Sequence, residues 1–181
     1  MRISAAFAGI GLVALAACDP ISEEQCQAQN WTGLGLADGA AGRPMSRFDD
    51  YGEICGAIGI TPDRQSYTLA RAEGLKSFCT VQNAFDVGED GRRLGGVCPV
   101  NDMLPALQEA NARGRKVHEA REVIDDAEMK IDDAEGKILT LVQVETDEAR
   151  AEVHRLRSRI RDLKREIFWA ERDIRRYDIY R

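Results

Sequence analysis

Residues 117–141 read VHEAREVIDDAEMKIDDAEGKILTL, and their spacing decides the architecture of the chain. Val117, Ala120, Ile124, Ala127, Ile131, Ala134, Ile138 and Leu141 recur at alternating intervals of three and four. That rhythm puts one apolar seam along a helix, as a coiled coil requires. A second series runs Val153, Leu156, Ile160, Leu163, Ile167, Ala170, Ile174 and Tyr177, shifted by one residue from the first. Two arrangements accommodate the shift: one long helix with a skip, or a chain that turns back on itself. The skip version would be an intermolecular coiled coil about 100 Å long at 1.5 Å per residue.

The turn is the better reading. Leu141-Val142-Gln143-Val144 is weak helix, whereas Thr146-Asp147-Glu148 offers a capping hydroxyl followed by acids. Folding about residue 147 sets Ala120, Ala127 and Ala134 against Ile174, Ile167 and Ile160, with Ile124 facing Ala170. Small then meets large in these layers. Charge agrees: residues 117–141 carry net −5 and residues 153–181 net +5. In this register the flanking pairs Arg121–Glu171, Glu128–Lys164, Glu135–Arg157 and Lys130–Glu166 are opposite in sign, and Lys137–Arg159 clashes. Exposed pairs contribute a few tenths of a kcal/mol each, so they select the register more than they hold it. The expected element is an antiparallel coiled-coil hairpin over residues 103–181, turning near 143–147 and reaching on the order of 50 Å.

The first hundred residues differ in composition. Gly, Pro and Cys are concentrated there, in a chain that is 44% apolar and 31% charged overall. The net charge of −6 leaves no overall electrostatic footprint for nucleic acid. Five cysteines occur, an odd number. Cys18 stands apart, because it follows Arg2 and an apolar stretch, Ala5 to Ala17, that has the shape of a cleaved signal peptide. Leu15-Ala16-Ala17-Cys18 resembles the bacterial lipobox, which implies removal of residues 1–17 and acylation of Cys18 on sulfur and nitrogen (palmitate among the acyl groups). Several acyl chains anchor far more firmly than one. Beyond residue 17 no apolar run approaches the roughly 20 residues that span a bilayer.

With Cys18 set aside, Cys26, Cys55, Cys79 and Cys98 form an even set in an exported chain, and two disulfides are expected. Three connectivities are open; Cys26–Cys55 with Cys79–Cys98 is chosen on sequence locality. No two of these cysteines have the short spacing of a zinc site, and neither histidine lies near them, so no metal is expected. After a linker at 18–25, residues 26–102 are expected to form a small Cys-rich helical domain, giving an all-α chain. Thr61-Pro62-Asp63 reads as a cap, a first-turn proline and a first-turn acid, opening a helix to about Cys79. Asn83 is a candidate cap for a shorter helix, and Leu94 to Pro99 reads as a loop.

One pattern recurs. Thr32-x-x-Gly35-x-x-Asp38-Gly39, Tyr67-x-x-Ala70-x-x-Glu73-Gly74 and Leu107-x-x-Ala110-x-x-Arg113-Gly114 match closely, and Phe85-x-x-Gly88-x-Asp90-Gly91 is a shortened version. Small residues at helical spacing let another backbone approach. A second reading makes them a small polar pocket in which Asp38, Arg43, Arg71 and Glu73 contact a ligand. The stretch Trp31-Thr32-Gly33-Leu34-Gly35-Leu36-Ala37-Asp38-Gly39-Ala40-Ala41-Gly42-Arg43-Pro44 is followed by Cys55, Thr61-Pro62-Asp63, Tyr67 to Cys79, Phe85-Asp86-Val87-Gly88 and Gly96-Val97-Cys98-Pro99. Together these resemble a family of small bacterial lipoproteins known only as a domain of unknown function, over residues 26–102. Leu94-Gly95 departs from the aromatic expected before Gly-Val-Cys-Pro. The resemblance implies an envelope lipoprotein facing the periplasm, and it brings no activity, cofactor or catalytic residue.

His118 and His154 each follow a seam residue and are expected to face solvent. The paired acids Asp125-Asp126 and Asp132-Asp133 fall on an exposed face, unsuited to acid–base work. The expected role is non-catalytic: a lipid-anchored scaffold whose hairpin meets an envelope protein, without nucleic acid and without a choice between inner and outer membrane. The alternative is a binder of a small ligand or peptidoglycan fragment that uses the Gly-rich domain. Arg172, Arg175 and Arg176 are the expected contacts for anionic lipid headgroups.

Overall fold

The computed structural model describes residues 21–179. Cys18 and the leader at 1–17 lie outside the described residues. Among the described residues there are seven helices and no strand: α1 Glu23–Ala28, α2 Trp31–Ala40, α3 Ser46–Gly56, α4 Arg64–Phe78, α5 Val81–Glu89, α6 Leu104–Leu141 and α7 Asp147–Tyr177. No helix among them is long and apolar enough to cross a membrane.

Local chemistry sets most of the boundaries. Ser22 and Gln25 form a reciprocal capping box on α1. Asn30 caps α2 and Thr146 caps α7. Two expected starts move. Asp63, not Thr61, caps α4, its carboxylate accepting from Gln65 N and Ser66 N, so Pro62 lies before the helix. Thr80, not Asn83, caps α5. Asn83 sits inside that helix and donates to Phe78 O instead. The loop expected at 94–99 is non-helical.

Two disulfides staple the N-terminal region, Cys26–Cys55 and Cys79–Cys98. Each closes a loop around one apolar core. Ile21, Cys26, Trp31, Phe48, Tyr51, Cys55 and Tyr67 form the first core. The second holds Phe78, Ala84, Phe85, Val87, Leu94, Cys98, Leu107, Ala110 and Val117. Replacing Cys79 and Cys98 together by Ala is expected to cost about 3 kcal/mol by loop-closure entropy, with slightly more for the longer Cys26–Cys55 loop. Urea denaturation would measure it, the midpoint falling and the slope rising as the unfolded chain loses its cross-link.

The second core is a rebuilt copy of the first. In the first, α2 crosses α4; in the second, α5 crosses α6. A Cβ on Gly39 would collide with the α4 backbone at Arg71 and Leu75, and one on Gly88 with the α6 backbone at Asn111 and Arg115. From the other side, Gly74 abuts Leu36 and Ala40, and Gly114 abuts Phe85 and Glu89. Gly42 and Gly91 both take positive φ and lie against the rings of Phe78 and His118. Arg43 N donates to Asp38 O as Arg92 N donates to Val87 O. Positions in α2 and α5 therefore correspond at an offset of 49 (39 to 88, 42 to 91), and those in α4 and α6 at an offset of 40 (74 to 114, 78 to 118). The counterpart of Gly39 is thus Gly88. The shortened sequence pattern ending at Gly91 is aligned three residues too far, because Gly91 belongs to the turn and matches Gly42.

The hairpin is present, with α6 running into α7 across the turn at 142–146. Its core unites Ala127, Ile131 and Ala134 with Ile160 and Leu163, flanked by Ile138, Leu156 and Ile167, which is the expected register. The expected inter-arm ion pairs are not what these side chains make. Lys130 binds Asp126 and Lys137 binds Asp133, one turn back in the same helix, while Arg121 reaches Glu89 of α5. Neighbours at i and i+4 are within reach in the isolated helix, so they capture the charge first. The 38 residues of α6 extend about 57 Å. Its first turns, however, build the second core, where Leu107 is 2% and Val117 0% exposed. Ile174 and Tyr177 bring the end of α7 back against that core. Only about 30 Å of α6, beyond Ala120, projects from it.

Candidate functional site

Asp38 is the buried carboxylate of the first core, 8% exposed. Its position on α2, one residue before the crossing glycine, turns it toward α3 and α4. Its Oδ2 accepts from the Tyr51 hydroxyl and the Tyr67 hydroxyl, each at 2.8 Å. Tyr51 Oη accepts in turn from Arg47 Nε at 3.2 Å. A chain of hydrogen bonds thereby connects the partly exposed Arg47 to the buried acid. Two rings surround Tyr67, Phe48 tilted against it at 4.9 Å and Tyr51 edge-on at 6.0 Å between centroids. Burial first, and the hydrogen bond to Asp38 second, hold both phenols above the ordinary tyrosine range. They remain proton donors to Asp38, and the acid is occupied by its own chain.

That shift has a sign. Tyr51 and Tyr67 keep their protons in the fold at a pH where the unfolded chain has lost them. Stability is therefore full below about pH 10, the ordinary tyrosine value, and declines as pH rises above it. Spectrophotometric titration at 295 nm is expected to show a late-ionising fraction whose appearance coincides with loss of helical circular dichroism.

The four residues read as a polar pocket are only partly gathered. Arg71 donates through Nε and Nη2 to Arg43 O at 3.2 and 2.5 Å, closing the turn after α2. Asp38 lies on the same helix pair, while the Arg43 side chain is exposed and Glu73 pairs with Lys76 on the surface. The residue types of Tyr51 and Arg47 do not by themselves mark them as members of this group. The signal available was the spacing Phe48, Tyr51, Cys55, at three and four residues, in a helix that starts without a side-chain cap.

The second core shows what this polar group is not needed for. By the same offsets, Val87 stands where Asp38 does and Leu107 where Tyr67 does. Asn111 replaces Arg71, is 6% exposed, and donates to Ala84 O and Arg92 O while accepting from Leu94 N. The turn-closing bond recurs, and the Asp–Tyr group does not. The crossing of two helices at paired glycines, a turn glycine behind it and one disulfide per core define the repeated unit. Residues 30–116 match a family described as a protein of unknown function (DUF2799). The DUF2799 match begins at the cap of α2 and ends two residues past Gly114, so it holds both glycine crossings and stops short of the projecting hairpin. No curated protein and no solved structure matches the chain.

The histidines separate. His154 is exposed, on a groove at the hairpin tip. His118 is partly buried against α5, its Nδ1 3.1 Å from Glu89 O and its Nε2 3.6 Å from Glu122. The expectation of a solvent-facing His118 fails because α6 at that height has α5 beside it as well as α7. Among the described residues no cluster of three or more His, Cys, Asp or Glu side chains gathers at metal-binding distance. On α7, Arg172 lies over the Trp169 ring at 4.8 Å, Arg176 over Tyr177 at 5.7 Å, and Arg175 faces Glu171 at 3.8 Å.

Proposed function

We propose that this chain is a non-catalytic envelope lipoprotein, anchored through acylated Cys18, that presents the tip of its hairpin to a protein partner on the periplasmic side. The observation that carries the reading is the tip itself. Leu139, Val142 and Val144 are 70%, 49% and 48% exposed there. Val142 and Val144 line a groove there with Leu141, Arg150, Val153 and His154. Apolar side chains concentrated where a helical arm ends, farthest from the disulfide cores, suit a docking point. The anchoring part of the reading is supported by the lipobox-like Leu15-Ala16-Ala17-Cys18 alone.

The ligand-binding alternative is disfavoured by the engagement of Asp38 and Arg71 within the chain. The test is photocrosslinking in membranes from a residue at the tip, such as position 143. A crosslinked product that disappears when Leu139, Val142 and Val144 become Ser, with the melting temperature unchanged, supports the docking role. Shortening both arms in phase, by removing 128–141 and 153–166, should abolish the same product. A product unaffected by either change would overturn the reading.

A further inference from the structure

The face of α7 turned away from α6 carries a feature that the docking tip does not use. Positions 154, 158, 161, 165, 168, 172 and 176 follow one another at intervals of three and four, opposite the seam as far as Arg172, with Arg176 bordering a groove shared with Glu109, Arg113 and Lys116 of α6. They hold His154, Ser158, Arg161, Arg165, Phe168, Arg172 and Arg176, without one Asp or Glu. Trp169 stands beside Phe168, the two rings meeting edge-on with centroids 5.4 Å apart. Phe168 is 54% and Trp169 53% exposed, unusual for two adjacent large aromatic side chains on an otherwise charged helix face. Arg165 also holds Asp162 at the margin of the line.

We infer that this edge of α7 is a membrane-surface contact, which seats Phe168 and Trp169 at headgroup depth and sets Arg161, Arg165, Arg172 and Arg176 on anionic phospholipid. Three observations select that occupant. The four arginines span about 22 Å in a straight line, suited to a flat anionic surface. The acids nearest the aromatic pair, Glu119 of α6 with Glu166 and Asp173 of α7, line a groove on the flank of Trp169 and leave the arginine line itself free of negative charge. The Trp169 face is covered by Arg172, and its side by Phe168, which leaves the ring poorly placed to stack on a nucleobase. An aromatic pair flanked by guanidinium groups is instead the composition of a helix lying at the lipid interface. Arg175, included among the headgroup contacts on sequence grounds, lies off this line and faces Glu171. The assignment is independent of whether the hairpin tip captures a protein.

The experiment uses residues 18–181 carrying Cys18→Ser, so that no variant is acylated at that position and none keeps the apolar leader. Binding is measured to vesicles of phosphatidylcholine with 30% phosphatidylglycerol, and to phosphatidylcholine alone, in about 0.1 M salt. The expected results are tighter binding to the anionic vesicles, quenching of Trp169 by lipids brominated near the headgroup, and at least tenfold weaker binding when Arg161, Arg165, Arg172 and Arg176 become Gln. Trp31, 4% exposed in the first core, stays shielded from that quencher. A variant losing equal charge off the line, with Arg155, Arg157, Arg159 and Lys164 changed to Gln, should retain most of the affinity. Equal loss in both variants would reduce the effect to net charge and overturn the assignment. So would binding indifferent to lipid charge, absence of headgroup quenching, a duplex DNA probe bound more tightly through the same arginines, or a dimer in sedimentation that dissolves in the first variant.

Discussion

Gly114→Ala is expected to destabilise the chain by about 3 kcal/mol or more, a fall of roughly 10 °C in melting temperature for a chain of this size. The added methyl group would come within 3.0 Å of Phe85 O, Glu89 N and Gly88 C, all main-chain atoms of α5. A side chain could rotate aside; a helix backbone cannot. Either α5 and α6 separate, opening the second core around Phe85 and Leu107, or the crossing is strained. Gly136→Ala is the matched control. Nothing lies within 4 Å of its Cβ position and the residue is exposed, so the same change there should stabilise by about 0.5–1 kcal/mol through helix propensity. Thermal melts of the two variants beside the parent chain make the comparison. Equal, small effects would mean that the helices do not cross as closely as the structure shows.

Asp38→Ala is expected to cost about 3 kcal/mol, because it leaves two buried hydroxyls, those of Tyr51 and Tyr67, without their acceptor. The size of the loss comes from the orphaned partners more than from the bond itself. Tyr51→Phe or Tyr67→Phe alone removes one donor and leaves Asp38 the other, for about 1 kcal/mol each. The triple variant Asp38→Val, Tyr51→Phe, Tyr67→Phe should recover most of what Asp38→Ala loses, since no buried polar atom of the Asp–Tyr group then remains to be satisfied and the partly exposed Arg47 can turn its Nε to water. The second core already has that solution, with Val87 and Leu107 in the corresponding places. Urea denaturation of the single, double and triple variants gives the coupling energy directly. Strict additivity would show that the three groups do not act together.

How far these features can be read from the residues depends on whether the cause is local. Heptad spacing is a property of one helix, and the resulting layers, Ala127 with Ile167 and Ala134 with Ile160, follow once the turn is fixed by Thr146. The recurring small residues are visible as places of close approach. Which copy meets which is not visible, because the connections differ in length and the two pairs of helices repeat at unequal offsets of 49 and 40. The same inequality conceals the equivalence of Gly88 with Gly39. Inter-arm charge pairing gives way for a related reason, as Asp126 and Asp133 compete from within α6. The Asp38 group was legible only by its acid. Its two tyrosines come from separate helices, α3 and α4, and one of those helices has no capping side chain to announce it.

The continuity of α6 has a mechanical consequence. The helix is held near Gly114 by its crossing with α5, its root at Leu107 lies about 10 Å to one side, and its tip at Leu141 lies about 40 Å to the other. That is a lever with its fulcrum at the glycine and arms in a ratio near four to one. A sideways pull at the tip arrives at Leu107, in the second core, multiplied about fourfold. Ile174 and Tyr177, packed against that core from the end of α7, act as the brace that resists the rotation. A load borne by the hairpin is therefore delivered to the second core, the one whose loop Cys79–Cys98 closes.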